Sequence, residues 1–226
     1  KPWDDAVTLV LTYAEIPYDV LYDDEILDER LLLYDWLHLH HEDFTGQYGK
    51  FYRAYRSAAW YQEEVARQTG TAEIMGFQKV SEMKRTVATN IRDFVLGGGF
   101  LFTMCSGTDS YDIALAAQGV DICGPMFDGD PSDAAAQSKL QFDAGLAFQD
   151  YQLEMDPMVY EFSEIDGTKD HSDIKPINDF FTLFDFSAKW DIVPTMLTQS
   201  HERVIAGFMG QTASFRKSFV RPDVTI

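Results

Sequence analysis

The chain has 226 residues, 46% of them hydrophobic and 14% aromatic, enough to bury a sizeable core and too apolar for a disordered chain. Its formal charge of −19, with 18 Lys and Arg gathered into no basic block, repels phosphate backbones and anionic lipid, so neither nucleic acid nor a membrane surface is an expected partner. No run of about 18 apolar residues exists, so no transmembrane segment is expected. The two cysteines, Cys105 and Cys123, suit neither a disulfide scaffold nor a zinc finger and read as separate thiols.

Helical spacing comes first, in "DDAVTLVLTYAEI", with apolar residues at Ala6, Val7, Val10, Leu11 and Ala14. A short strand is predicted at 20–22. "LLLYDWLHLHHEDF" then alternates, with Trp36, His38 and His40 on one face and Leu37, Leu39 and His41 on the other. Long helices are predicted over 49–68 and 78–96, the second ended by the glycine run Gly97 to Gly99. An apolar strand, "FLFTMC", and a helix, "SYDIALAAQ", follow. The residues from about 126 to 176 are polar, acidic and turn-rich and read as a surface excursion. Core-like sequence returns with "WDIVPTMLTQSHERVIAGFMG".

Strands separated by helices predict a single α/β domain with a doubly wound, mostly parallel, flavodoxin-like sheet. The strand at 100–104 should be central, because it is apolar on both faces. The chain opens on a helix, lacks an initiator Met and a signal peptide, and ends on "VRPDVTI", which reads as an unfinished strand. It is therefore expected to be truncated at both ends. Compartment is left open; a soluble protein exported with its signal removed would have the same appearance.

Cys105 ends the apolar strand just where a helix begins. A nucleophile held on such a turn rises above the carboxyl edge of the sheet, and the helix N-terminus stabilises a thiolate and an oxyanion. Gly107 supplies the small residue that this turn needs; Thr103, two residues before Cys105, does not. Ser106, Gly107, Thr108, Asp109 and Ser110 also read as a phosphate-binding loop between strand and helix. The bland alternative is a buried structural cysteine.

"HLHHED" is the second dense spot. On a strand His38 and His40 lie about 7 Å apart on one face and could give two ligands to zinc or iron, with Glu42, Asp43 or His201 as a third. The alternative is a polar strand end with neutral histidines, and no cofactor is expected. Thr45, Gly46 and Gly49 read as a capped turn, with a loop that binds an anion at the helix N-terminus as the alternative. Tyr52, Tyr55, Trp60 and Tyr61 read as residues that pack the core or a partner rather than stack a ligand. Asp128, Asp130 and Asp133 lack the pattern of a calcium loop and read as a solvated acidic loop. Parallel strands end at one sheet edge, so Cys105 and the His40 to Asp43 stretch should come within about 10 to 15 Å of each other.

The glycine run, apolar strand, cysteine and helix together resemble the class I glutamine amidotransferase-like superfamily. "LHLHHEDFTGQYGKF", "GGGFLFTMCSGTDSYDIALAA" and "DIVPTMLTQSHERVIAGFMGQT" resemble more closely a group of bacterial proteins, many from Bacteroidetes, labelled asparagine synthetase B. The resemblance implies a hydrolase of C–N bonds in which Cys105 attacks a carbonyl and the N–H groups of Ser106, Gly98 and Gly99 form an oxyanion hole. His201 and Glu202 would then be base and orienter, adjacent here rather than spaced as His-x-Glu. Gly107, His40 and Glu42 complete the expected substrate site. Two other readings stand beside it: a non-catalytic binding or assembly module on the same fold, and an asparagine synthetase-like amide ligase using the "SGTDS" loop. The partner would be a small molecule, a protein, or a further domain or subunit.

Overall fold

A computed structural model describes residues 6–167, 180–182, 204–206 and 215–224. Helix α1 (Ala6–Tyr13) forms where its spacing places it, yet Val10 and Tyr13 on it are exposed. The strand predicted at 20–22 is replaced by the entry to α2 (Asp23–Leu27), where Glu25 Oε2 accepts the Tyr22 N–H at 3.0 Å. A capped start with three acidic residues in the first turn outweighs the weak strand signal of two apolar residues.

Strand β1 (Trp36–Leu39) is followed by the first large departure from expectation. Tyr48, Gly49 and Lys50 all take left-handed φ angles of 51°, 70° and 57°. The predicted helix at 49–68 is accordingly split into α3 (Tyr52–Tyr55) and α4 (Ala59–Ile74), with Ala58 extended between them. Helix α5 (Val80–Leu96) buries Val80, Met83, Val87, Ile91 and Phe94, one apolar stripe at three- and four-residue spacing. It closes as predicted, with the Gly98 N–H on the Val95 carbonyl and the Gly99 N–H on the Phe94 carbonyl, both at 3.0 Å.

Strand β2 (Phe100–Thr103) pairs in parallel with β1, Trp36 opposite Phe100 and Leu39 opposite Thr103. Leu37, Leu39 and Leu101 face the core. The other face is open among the described residues, with Trp36 55%, Phe100 60% and Phe102 43% exposed. The expectation of a central strand is therefore corrected among the described residues: β2 pairs with β1 alone, and one of its faces is packed while the other is not. Helix α6 (Ser106–Ala116) comes next and is buried nearly all round.

Two hydrophobic cores meet on α6. Tyr111, Ala114 and Leu115 join the core made by α4, α5 and β1. Ile113 and Ala116 join a second core with Phe148, Tyr151, Phe162 and Ile165. That second core corrects the predicted surface excursion at 126–176. Its described part, with the short helices α7 (Pro125–Asp128) and α8 (Ala136–Lys139), is irregular but packed. At the C-terminal end the expected strand is one bridge, Val220 to Phe148, followed by a turn. Strands β3 (Phe180–Thr182) and β4 (Val204–Ala206) pair antiparallel. The described architecture is thus mixed helix and strand with a small two-stranded parallel sheet, compatible with the α/β class. No described helix is long and apolar enough to cross a membrane.

Candidate functional site at the end of the parallel strands

Because β1 and β2 are parallel neighbours, both end at one edge, and the Met104 N–H extends the pairing to the Leu39 carbonyl at 3.0 Å. From that edge one chain continues as His40 to Asp43 and the other as Cys105 and α6. Cys105 has φ 53° and ψ −139°, a region that residues with a Cβ avoid and that persists only where surrounding structure enforces it. The strand–turn–helix elbow expected from sequence is present in backbone form. Thr103, which had looked too large for it, is accommodated: its hydroxyl pairs with that of Thr108 at 2.8 Å across the turn.

The "HLHHED" stretch does meet the elbow. Ser110 Oγ donates to the Glu42 carbonyl at 2.9 Å and accepts the Phe44 N–H at 3.4 Å. A Cβ on Gly107 would lie 3.4 Å from both Glu42 Oε2 and the His40 carbonyl. Glu42 is a surface residue overall, but its carboxyl folds inward to accept the His40 N–H at 2.5 Å. That enclosure raises its pKa. His40 stacks on His41, ring centroids 3.8 Å apart.

Acidic groups dominate the electrostatics. Burial pushes the half-buried Cys105 thiol up to about 11, Asp109 and Asp166 push the same way, and the Ser106 N–H pulls it down. Asp109 lies four residues along α6 and therefore on the same side of the helix as Cys105. It is fully buried, its Oδ2 has no hydrogen-bond partner among the described residues, and burial with Asp166 beside it lifts its pKa well above the carboxylate range. Cys105 is thus a neutral thiol at pH 7 rather than a preformed thiolate.

Other predicted members fall elsewhere. Gly98 and Gly99 sit at the opposite end of β2; six residues at about 3.3 Å each put Gly99 roughly 20 Å from Cys105 along the strand. They cannot line an oxyanion hole there, and the role of Gly99 is packing: a Cβ on it would sit 2.2 Å from the Phe94 ring. His201 and Glu202 lie outside the described residues. "SGTDS" is not an open loop but the first turns of α6, its Gly107 and Thr108 N–H groups both bonded at 3.1 Å to the Met104 and Cys105 carbonyls.

His38 and His40 keep their rings 6.3 Å apart but belong to no metal-sized group among the described residues. The group that does, Asp121, Cys123 and Asp128, already faces a cation: Lys79 Nζ lies 2.5 Å from Asp121 and 3.3 Å from Asp128, and 2.5 Å from Asp130. Asp133 binds Lys139, so the acidic loop is tied down by ion pairs. Thr45 is not a helix cap; its hydroxyl donates to Asp43 Oδ1 at 2.6 Å inside a buried turn. Tyr55, Trp60 and Tyr61 form a ring cluster with Phe51 and Tyr48, in which Tyr61 is buried while Tyr55 and Trp60 stay exposed.

Asp166, Asp112 and Lys50 were missed from sequence, and Asp109 was read only as part of a phosphate-binding loop. For the place of Asp109 a signal existed, a carboxyl one helical turn from the cysteine. Asp166 comes from a distant irregular segment with no local signal. Compared with known protein families, curated proteins and solved structures, the chain matches none.

Proposed function

We propose that the chain is a class I glutamine amidotransferase-like hydrolase of C–N bonds on a doubly wound α/β fold, with Cys105 as nucleophile. One observation carries this reading: Cys105 sits in an unfavourable backbone conformation between a parallel strand and the N-terminus of a buried helix. Strain held at one residue of a tight turn is a reason to look for chemistry there. The sulfur attacks the carbonyl carbon, the C–N bond breaks, the amine leaves with a proton, and water then releases the acyl group from sulfur. The Ser106 N–H stabilises the oxyanion. Since Cys105 begins as a thiol, a base must take its proton during attack. His40, on the adjoining strand end with Glu42, holds that role in preference to His201 and Glu202.

The neutral thiol favours a second reading, a non-catalytic binding module in which Cys105 is structural. The ligase reading has no comparable support, because its loop amides are engaged within α6. Incubation with an electrophilic glutamine chloroketone and mapping of adducts by mass spectrometry separates the first two. The hydrolase reading expects one adduct on Cys105, absent in Cys105→Ala and formed at least tenfold more slowly in His40→Ala. A folded protein that leaves Cys105 unlabelled, while denatured protein alkylates there, moves the assignment to the binding module.

A further inference from the structure

Lys50 is 1% exposed, and its ammonium donates to the Glu154 and Asp156 carbonyls at 2.9 and 3.1 Å. It ends the run of three left-handed residues that begins at Tyr48. Glycine adopts that conformation freely, but Tyr48 and Lys50 do so against a steric penalty on the order of 1 kcal/mol each. The turn is closed from the other side by Asp43, whose Oδ2 accepts the Gly49 N–H at 2.9 Å. Two unfavourable features, left-handed backbone and a buried cation, are therefore held by these hydrogen bonds, together with the packing of Tyr48 against Tyr61 and Phe127 in the core, where the edge of the candidate site meets the irregular region.

We propose that the 46–50 turn is a spring-loaded clasp controlled by the proton on Lys50: the ammonium form favours release of Lys50 from the 154–156 segment, and the neutral amine favours closure. The charged and titratable groups facing Lys50 are Glu154, Asp156, Asp43 and Cys123, each of which supports the ammonium form. Burial outweighs them and lowers its pKa from 10.5 to about 8. In the released turn the amine is in water and recovers an ordinary lysine value, about 10.4. The open state thus binds the proton more tightly than the closed one. Closure becomes more favourable as pH rises from about 8 toward 10.4, and below pH 8 the full penalty of burying the charge is present. This device does not depend on the hydrolase reading and is read out without activity.

Competitive acylation of wild-type protein with trace acetic anhydride from pH 6.5 to 10.5 tests it, with exposed Lys217 as the reference. Reaction that requires opening gives a rate for Lys50 that levels off above about pH 8, at least tenfold below that of Lys217, which keeps rising. Protection of the Gly49 N–H from exchange, corrected for base catalysis, should grow about tenfold per pH unit between 8 and 9.5. Lys50 labelling that climbs in parallel with Lys217, or that levels off without suppression, overturns the clasp. So does Gly49 protection that stays flat or falls.

Discussion

The two cores on either side of α6 are built by different means. On one side α4, α5 and β1 are recognisable elements gathered round the apolar stripe of α5, with backbone bonded within the helices and the β1–β2 pair. On the other side the described residues of 129–167 contain no strand and only one four-residue α-helix. Their backbone is held by side chains instead. The Asp112 carboxylate accepts the N–H groups of Leu146, Ala147 and Phe148 at 2.5, 3.0 and 3.0 Å. Gln137 accepts the Leu153 N–H at 2.8 Å and donates to the Tyr151 carbonyl at 2.9 Å. Irregular chain can be as buried as a helix, provided that polar side chains replace the missing ladder. The candidate site lies where the two constructions meet, with Cys105 on the regular side and Asp166 reaching it from the irregular one.

The sharpest way to break this contrast is Asp112→Ala. It leaves three N–H groups without their acceptor and should destabilise the fold by on the order of 3–5 kcal/mol in a denaturant titration. A loss below about 0.5 kcal/mol, typical of a surface loop, would show that the irregular region is not side-chain-held. Gly46→Ala probes the regular side. Gly46 has φ +84°, and a Cβ there would come within 2.7 Å of the Ser81 Cα on α5. Neither backbone can move away without disturbing helix packing, so a cost of about 2–3 kcal/mol is expected, measured the same way.

The sequence showed the regular side well and the irregular side poorly, for a physical reason. The stripe from Val80 to Phe94, the alternation from Trp36 to His40 and the strand-to-helix junction at Cys105 are local patterns with a period. The turn at Tyr48 to Lys50 has none: nothing in "QYGKF" announces that two non-glycine residues go left-handed because Lys50 is anchored a hundred residues away. The same holds for the 129–167 segment, whose polar, turn-rich texture is that of a solvated loop until Asp112 and Gln137 are seen bonding its backbone. Gly98 and Gly99 were misassigned because a run beside a cysteine strand looks close in sequence, although a strand separates its two ends in space.

A smaller effect is expected from Lys79→Met. Burial opposes the Lys79 charge, but hydrogen bonds to Asp121 and Asp130 raise its pKa overall. Removing the ammonium leaves three carboxylates facing one another. A loss of about 1 kcal/mol is expected, larger at low salt. Because Asp121, Cys123 and Asp128 have ligand atoms within 4.8 Å of one another, added Mn²⁺ should raise the melting temperature of the variant and leave the wild type unchanged. Equal shifts in both would show that Lys79 does not occupy that position.

The proposed nucleophile, Cys105, is strained in backbone yet neutral in charge. The pH dependence of Cys105 alkylation by iodoacetamide tests this directly, with Cys105 and Cys123 resolved by peptide mapping. Burial beside Asp109 and Asp166 predicts slow modification at pH 7 and a rate that keeps rising toward an inflection near pH 11, with the fully buried Cys123 slower throughout. An inflection at or below about pH 7, the mark of a thiolate stabilised at a helix N-terminus, would contradict the neutral thiol and remove the need for His40 as its base.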